Sequence, residues 1–287
     1  MKAKILILLG VLASYGFISN EGFRKKNWTL QELLKSDKAQ IKATCIYEDR
    51  KNTKITLKSD FSYPIKLTIP AGTLLYPEND KQQTLAIPKE RLITLKPKSS
   101  RNLVLRGFCT EKSESSPTQK KDFTIGFSKN EKLNKFFSYL DTSKNLSESN
   151  MQEAIWCITD NQSIGYIYEP KNTNLKKVLS EITGQKIPWQ STKRRIMMES
   201  GRQVVTIPQL VSGRIVFSTT KPETILSKII DEEGEMVYQF EKPAKVPKAN
   251  NIRLKFNVKV KGYNEGKYYV IYYTESGEEL VKKEFKV

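Results

Sequence analysis

The chain contains no histidine. That absence excludes a Ser-His-Asp triad, a Cys-His dyad, histidine ligation of zinc and a histidine proton shuttle. Cysteine is scarce too: Cys45, Cys109 and Cys157 are the 3 in 287 residues, too few and too scattered for a four-cysteine metal site. Glycine and proline stand at ordinary levels, 14 and 12 residues, so neither a collagen-like chain nor a long Pro/Gly-rich tract is expected. No repeat of solenoid length is visible. Acidic residues are in deficit, 31 against 49 Lys and Arg, which gives a formal charge of +18. Carboxylate or lysine chemistry stays open, but no motif marks a place for it. No catalytic residue, cofactor site or metal site is assigned.

The Lys/Arg excess is spread over every fifty-residue block. Lysines alternate with apolar residues in Lys255-Phe-Asn-Val-Lys-Val-Lys261, the pattern of a strand with one solvated face. Basic residues and aromatics do not fall together in a nucleic-acid motif, so nucleic acid is not an expected partner. An anionic glycan, a membrane surface or another envelope protein is expected instead.

The first residues read as an export address. Met1-Lys-Ala-Lys4 is basic, Ile5 to Ala13 is apolar, and Ser14 and Gly16 are small. This order predicts a signal peptide at 1–20, cleaved between Ser14 and Asn20. The apolar run is short for a bilayer span. The expected location is the periplasm, the cell surface or the extracellular space, where thiols meet an oxidising environment. One bridge and one leftover thiol is the simplest arithmetic. Cys45 with Cys109 and Cys109 with Cys157 are both candidates, and three buried thiols acting as small hydrophobes are the alternative.

At roughly 100–200 residues per domain, the length favours two domains. Thr29-Leu-Gln-Glu32 is a capping-box pattern. From Lys42 to Cys109, short alternating runs punctuated by Pro, Gly and Asn predict a β-sandwich. The period then becomes helical in Asn130 to Leu140, Ser149 to Asp160 and Leu175 to Thr183. The polar, basic run 190–202 reads as a linker. About seven strands follow, with turns at Glu233-Gly234, Asn264-Glu-Gly266 and Ser276-Gly277, in a length that fits an Ig-like sandwich. The fold expected is mainly β: an N-terminal sandwich with a small helical subdomain over 28–189, then an Ig-like β-sandwich over 203–287.

The runs "IIDEEGEMV" (229–237) and "GKYYVIYYTESGEELVKKEFKV" (266–287) resemble the Ig-like modules that end many secreted bacterial proteins. They look like the sorting domains of the type IX secretion system of Bacteroidota, over about the last eighty residues. "LTIPAGTLLYPENDKQQTLAI" (67–87) and "QEAIWCITD" (152–160) resemble uncharacterised secreted modules of similar bacteria. "MQEAIW" (151–156) is also similar to the "TQxAIW" helix of thioester domains in Gram-positive surface adhesins. The resemblance implies an internal cysteine–glutamine thioester that captures host amines, and Phe108-Cys109 fits that family's cysteine motif. The family draws its reactive glutamine from a later motif, which this chain lacks, and the strand-rich N-terminus departs from it as well.

Gln152 and Cys109 are therefore thioester candidates, but Gln152 also has an ordinary reading. Ser149 with Gln152 fits a capping box, and Met151, Ala154, Ile155 and Ile158 share one helix face. Trp156 is expected to be packed with its indole N–H bonded. In Tyr268-Tyr-Val-Ile-Tyr-Tyr273, strand geometry puts Tyr269 and Tyr273 on one face, an aromatic platform if that face is outward. The function expected is a non-catalytic binding or structural protein of the envelope or extracellular space. A covalent adhesin and a carboxylate-based hydrolase are the alternatives.

Overall fold

Period-two burial builds most of the chain. A computed structural model describes residues 27–46, 52–118, 121–142, 146–168, 174–199 and 201–287. The expected signal peptide lies outside these residues. The elements begin with β1 (Asn27–Thr29), α1 (Leu30–Leu33), β2 (Ala39–Ile46), β3 (Asn52–Ser59), β4 (Ile65–Ile69) and β5 (Thr73–Pro77). There follow β6 (Leu85–Ile87), β7 (Arg91–Leu95), β8 (Ser100–Arg106), β9 (Phe108–Cys109) and β10 (Asp122–Phe127). In β4, Ile65, Leu67 and Ile69 are buried while Lys66 between them is exposed. The capping box of α1 forms as its sequence predicts: the Glu32 amide donates to Thr29 Oγ1 at 3.3 Å, and the Thr29 amide donates to Glu32 Oε2 at 2.9 Å.

These strands make a three-stranded sheet, β1-β4-β7, and a seven-stranded sheet, β8-β3-β2-β10-β5-β6-β9. Ile55, Leu57, Ile65, Leu67, Leu75 and Leu95 from both sheets share one core. A helical stretch comes next: α2 (Glu131–Thr142), α3 (Glu148–Thr159), a 3-10 turn at Ile164–Tyr166, and α4 (Asn174–Thr183). Phe136, Phe137, Leu140, Leu175 and Leu179 form its core.

The remaining strands are β11 (Gln190–Met197), β12 (Val205–Thr219), β13 (Glu223–Ile230), β14 (Met236–Gln239), β15 (Ala244–Val246), β16 (Ala249–Lys259), β17 (Lys267–Thr274) and β18 (Glu279–Lys286). They form a β11-β12-β16 sheet and a β14-β13-β17-β18 sheet, with β15 added beside β13. Ile215, Ile229, Phe256, Val270 and Phe285 pack between the two. The chain is thus mainly β, with its longer helices gathered in one stretch.

The run read as a linker is a strand. β11 pairs along its length with β12, from Gln190 opposite Gly213 to Met197 opposite Val205. Its composition misled because its outward residues are basic and because Arg194, on its inward face, is buried. β12 reads as two strands in the sequence, broken near Pro208. It is one strand, and Pro208 lies where the register shifts between Lys193 and Arg194, so its missing N–H is tolerated. β5 and β10, which the sequence reading did not mark, sit inside the seven-stranded sheet and pair with each other.

Candidate functional site

α3 is buried along Asn150 to Cys157 rather than on one stripe. Trp156 belongs to the first β core, while Met151, Ala154, Ile155 and Cys157 belong to the helical core. The helix is wedged between two apolar bodies, so its polar residues need partners. Each finds one on a different segment. Asn150 accepts from the Tyr168 amide at 3.1 Å and donates to the Tyr168 carbonyl at 3.2 Å. Gln152 accepts from the Cys109 amide at 3.1 Å and donates to the Cys109 carbonyl at 2.7 Å. Glu153 receives Arg194 on both oxygens: Nε donates to Oε1 at 3.0 Å, and Nη2 donates to Oε2.

Two readings of this helix are corrected by these contacts. The N-cap is Ser147, whose side chain accepts from the Asn150 amide at 3.3 Å, so Ser149 and Gln152 form no capping box. The helix starts two residues earlier than that pattern implies, so Gln152 lies past its first turn, in the buried stretch. The Trp156 indole N–H has no hydrogen-bond partner among the described residues, and its ring is buried in the first β core.

Arg194 is 5% exposed and Glu153 1%. The guanidinium also donates to Gln162 Oε1 at 2.6 Å and lies 3.4 Å from the centre of the Tyr166 ring. Burial raises the Glu153 pKa above the ordinary carboxylate value, and Arg194 pulls against that rise. Burial, then the Arg194 charge, lowers the Lys112 pKa. The sequence carried no clear sign of this network, since a Glu on an amphipathic helix and an Arg in a basic run both read as solvated.

The network anchors β11 and, through Asn150, positions Tyr168. Both border an open cleft of about 510 Å³ on the β11-β12-β16 sheet, lined by Tyr168, Trp189, Ser191, Ser212, Arg214 and Lys255 among others. Trp189 lies across β12 at Gly213, where an added Cβ would sit 2.8 Å from the indole and from the Trp189 carbonyl. The indole N–H donates to the Glu284 carbonyl at 2.7 Å, and the ring packs against Phe256 with centroids 5.7 Å apart. On the outer face, Arg214 stands directly opposite Lys255 and Ser212 opposite Asn257.

None of the strands β11, β12 and β16 contains an Asp or a Glu. Lys193, Arg195, Arg214, Arg253, Lys255 and Lys259 on them are exposed. Cations from strands far apart in sequence are therefore gathered on one sheet face; β8, β3 and β2 of the N-terminal sheet are acid-free as well, but the cleft lies on the β11-β12-β16 sheet. Like charges directly opposite on neighbouring strands destabilise a sheet by up to about 1 kcal/mol, a cost a bound anion would offset. The sequence carries the signal as three acid-free strands. Their pairing, unseen while 190–202 read as a linker, is what joins them.

The other sequence candidates fall elsewhere. Cys45, Cys109 and Cys157 form no disulfide. Cys109 and Cys157 are buried in different cores, and Cys45 is half-buried. The Cys109 sulfur lies 4.0 Å from Met198 Sδ. Burial, with the Glu153 charge, pushes the Cys157 pKa up to about 12, and burial raises that of Cys45. Cys109 and Gln152 do meet, but the Gln152 carboxamide is engaged by the Cys109 backbone. Tyr268 and Tyr272 are buried, and Tyr269 and Tyr273 lie on the other face of β17. Lys282 sits 4.4 Å over the Tyr269 ring and Lys228 5.4 Å over that of Tyr273, so each ring already holds a cation.

Among the described residues, no group of three or more His, Cys, Asp and Glu gathers as a metal site would need. Among them, too, no helix is long and apolar enough to cross a membrane. No family model and no curated protein matches the chain. Among solved structures it is similar to a β-glucosidase from Kluyveromyces marxianus in complex with glucose, at 10% identity and a TM-score of 0.21. That match covers 82% of this chain and 45% of the other, and a likeness so slight carries no argument about fold or function.

Proposed function

We propose that the protein is an exported, non-catalytic binding or structural protein of the cell envelope or extracellular space, and that its basic sheet contacts an anionic glycan. The observation that carries this reading is the pairing of Arg214 with Lys255 on an acid-free sheet beside the Trp189 cleft. A sugar ring offers an apolar C–H face and a polar rim. Trp189 supplies apolar surface for the first, beside Tyr168, whose ring has Lys193 5.9 Å over it, and Ser191, Ser212 and Asn257 supply hydrogen bonds for the second. Arg214 and Lys255 match a carboxylate or sulfate, and the guanidinium can bind it in bidentate fashion. The 1–20 segment acts as the export signal, and the C-terminal strands form an Ig-like module.

The geometry gives less support to the two alternatives. The cleft contains no acidic residue, so nothing there supplies the paired carboxylates of a hydrolase. The Gln152 carboxamide is held by two backbone bonds, and the Cys109 sulfur packs beside a methionine, an arrangement that suits structure better than a thioester.

Calorimetric titration with polygalacturonate and heparin, with neutral dextran as control, tests the reading. Both polyanions should bind, and binding should weaken as NaCl rises. Equal binding of dextran, or binding indifferent to salt, would remove the electrostatic basis. Binding only to anionic lipid vesicles would point to a membrane surface instead.

A further inference from the structure

A second cavity, of about 190 Å³, opens where β6 and β8 meet the start of α3. Its floor is apolar: Leu105, Phe108 and Met151 are buried there, and Leu146 is half-buried. Its rim carries Lys89, Arg91 and Arg106 against a single acid, Glu148.

We propose that this cavity binds a small amphiphilic anion, a carboxylate bearing a short apolar chain or a single ring. Three features of the site agree on that chemistry. The rim holds an excess of positive charge over a floor with no polar side chain. Arg106 already grips a carboxylate, since its Nη2 pairs with Glu148. The Glu148 side chain is 56% exposed against 29% for Arg106, so it holds the guanidinium from the solvent side. The buried Arg106 Nε meanwhile makes no hydrogen bond among the described residues, which leaves a fork built for two bonds engaged at one end.

Glu148 thus stands where a ligand carboxylate would sit. A ligand that displaces it keeps Arg106 neutralised and adds apolar contact with Phe108 and Met151. The volume lies below the roughly 300 Å³ at which drug-sized sites begin, which favours a chain of a few carbons over a long acyl tail. This site lies on other strands than the basic sheet and does not depend on the glycan reading.

Hexanoate and benzoate are the probes, with 1-hexanol as the uncharged control, followed by backbone amide shifts of the full chain. Hexanoate should move the amides of Phe108 and Met151, and hexanol should bind at least tenfold more weakly. Arg106→Gln should weaken hexanoate at least tenfold. Glu148→Gln removes the competing carboxylate and should tighten it severalfold. Because Glu148 is exposed, that variant reports even where Arg106→Gln fails to fold. Hexanol binding as tightly as hexanoate, shifts confined to other surfaces, no binding of either acid, or Glu148→Gln binding no better than the parent would each overturn the proposal.

Discussion

The side chain of Gln152 satisfies both hydrogen-bonding groups of the Cys109 main chain, accepting from its amide at 3.1 Å and donating to its carbonyl at 2.7 Å. A two-residue strand, β9, is thereby fastened to a helical residue 43 positions later. Gln152→Leu fills similar space but removes both side-chain bonds to the buried Cys109 main chain. The expected cost is about 3 kcal/mol, read as a lower urea midpoint at unchanged m-value. Gln152→Glu should cost more, because it sets a carboxylate against the Cys109 carbonyl. A Gln152→Leu variant as stable as the parent would show the clamp to be incidental.

Glu153 and Arg194 make stability depend on pH with a definite sign. Burial raises the Glu153 pKa in the folded chain, so the folded state binds that proton more tightly than the unfolded state does. Stability then declines as pH rises from the ordinary carboxylate value through the folded pKa, and levels off above it. Arg194→Met removes the opposing pull and leaves a buried carboxylate unpaired. It should cost about 3–5 kcal/mol near pH 8 and less near pH 5, because burial favours the protonated carboxyl as pH falls. Unfolding curves at the two pH values check this, and a larger loss at pH 5 would reverse the assignment.

The three thiols should be chemically unequal. Cys45 is the most accessible and should react first with a maleimide. Cys157, with its pKa pushed up to about 12 inside the helical core, should stay unlabelled near pH 8 until denaturant is added. In denaturant without reductant all three should label, and the intact mass should match the unmodified chain. Loss of two hydrogens would reveal a disulfide. Loss of ammonia, restored by an added amine, would reveal a thioester.

Gly213 lets Trp189 lie against β12. A methyl group there meets the indole and the Trp189 carbonyl at 2.8 Å, one of which is backbone and cannot swing aside. Gly213→Ala should destabilise by about 1–3 kcal/mol and weaken polyanion binding together with it. Thermal unfolding beside a binding titration separates this from the exposed cation variants, which should weaken binding without lowering stability.

The strands with one wet face were legible because alternation survives in the sequence: Ile55 and Leu57 in β3, and Ile65, Leu67 and Ile69 in β4, mark their inward sides plainly. The three long helices were legible for the same reason at period 3.6. What escaped were residues whose chemistry contradicts their location. Arg194 is buried only because Glu153 faces it, and no local pattern links two positions 41 apart. Gln152 looked like a cap because a cap and a buried clamp draw on the same residue type, and a two-residue shift in the helix start decides between them. The basic surface looked diffuse because its strands are far apart in sequence, with β11 and β16 joined only through β12.

The central claim is that the outward cations of the β11-β12-β16 sheet bind a polyanion. It is tested most directly by comparing the parent with the Arg214→Ala/Lys255→Ala double variant on polygalacturonate across a range of NaCl concentrations. Both residues are exposed and their like charges oppose each other, so the variant should unfold no lower than the parent. The expected result is binding weakened at least about tenfold at low salt, with a shallower dependence on salt than the parent shows. A double variant that binds as tightly as the parent, with the same salt dependence, would contradict the account.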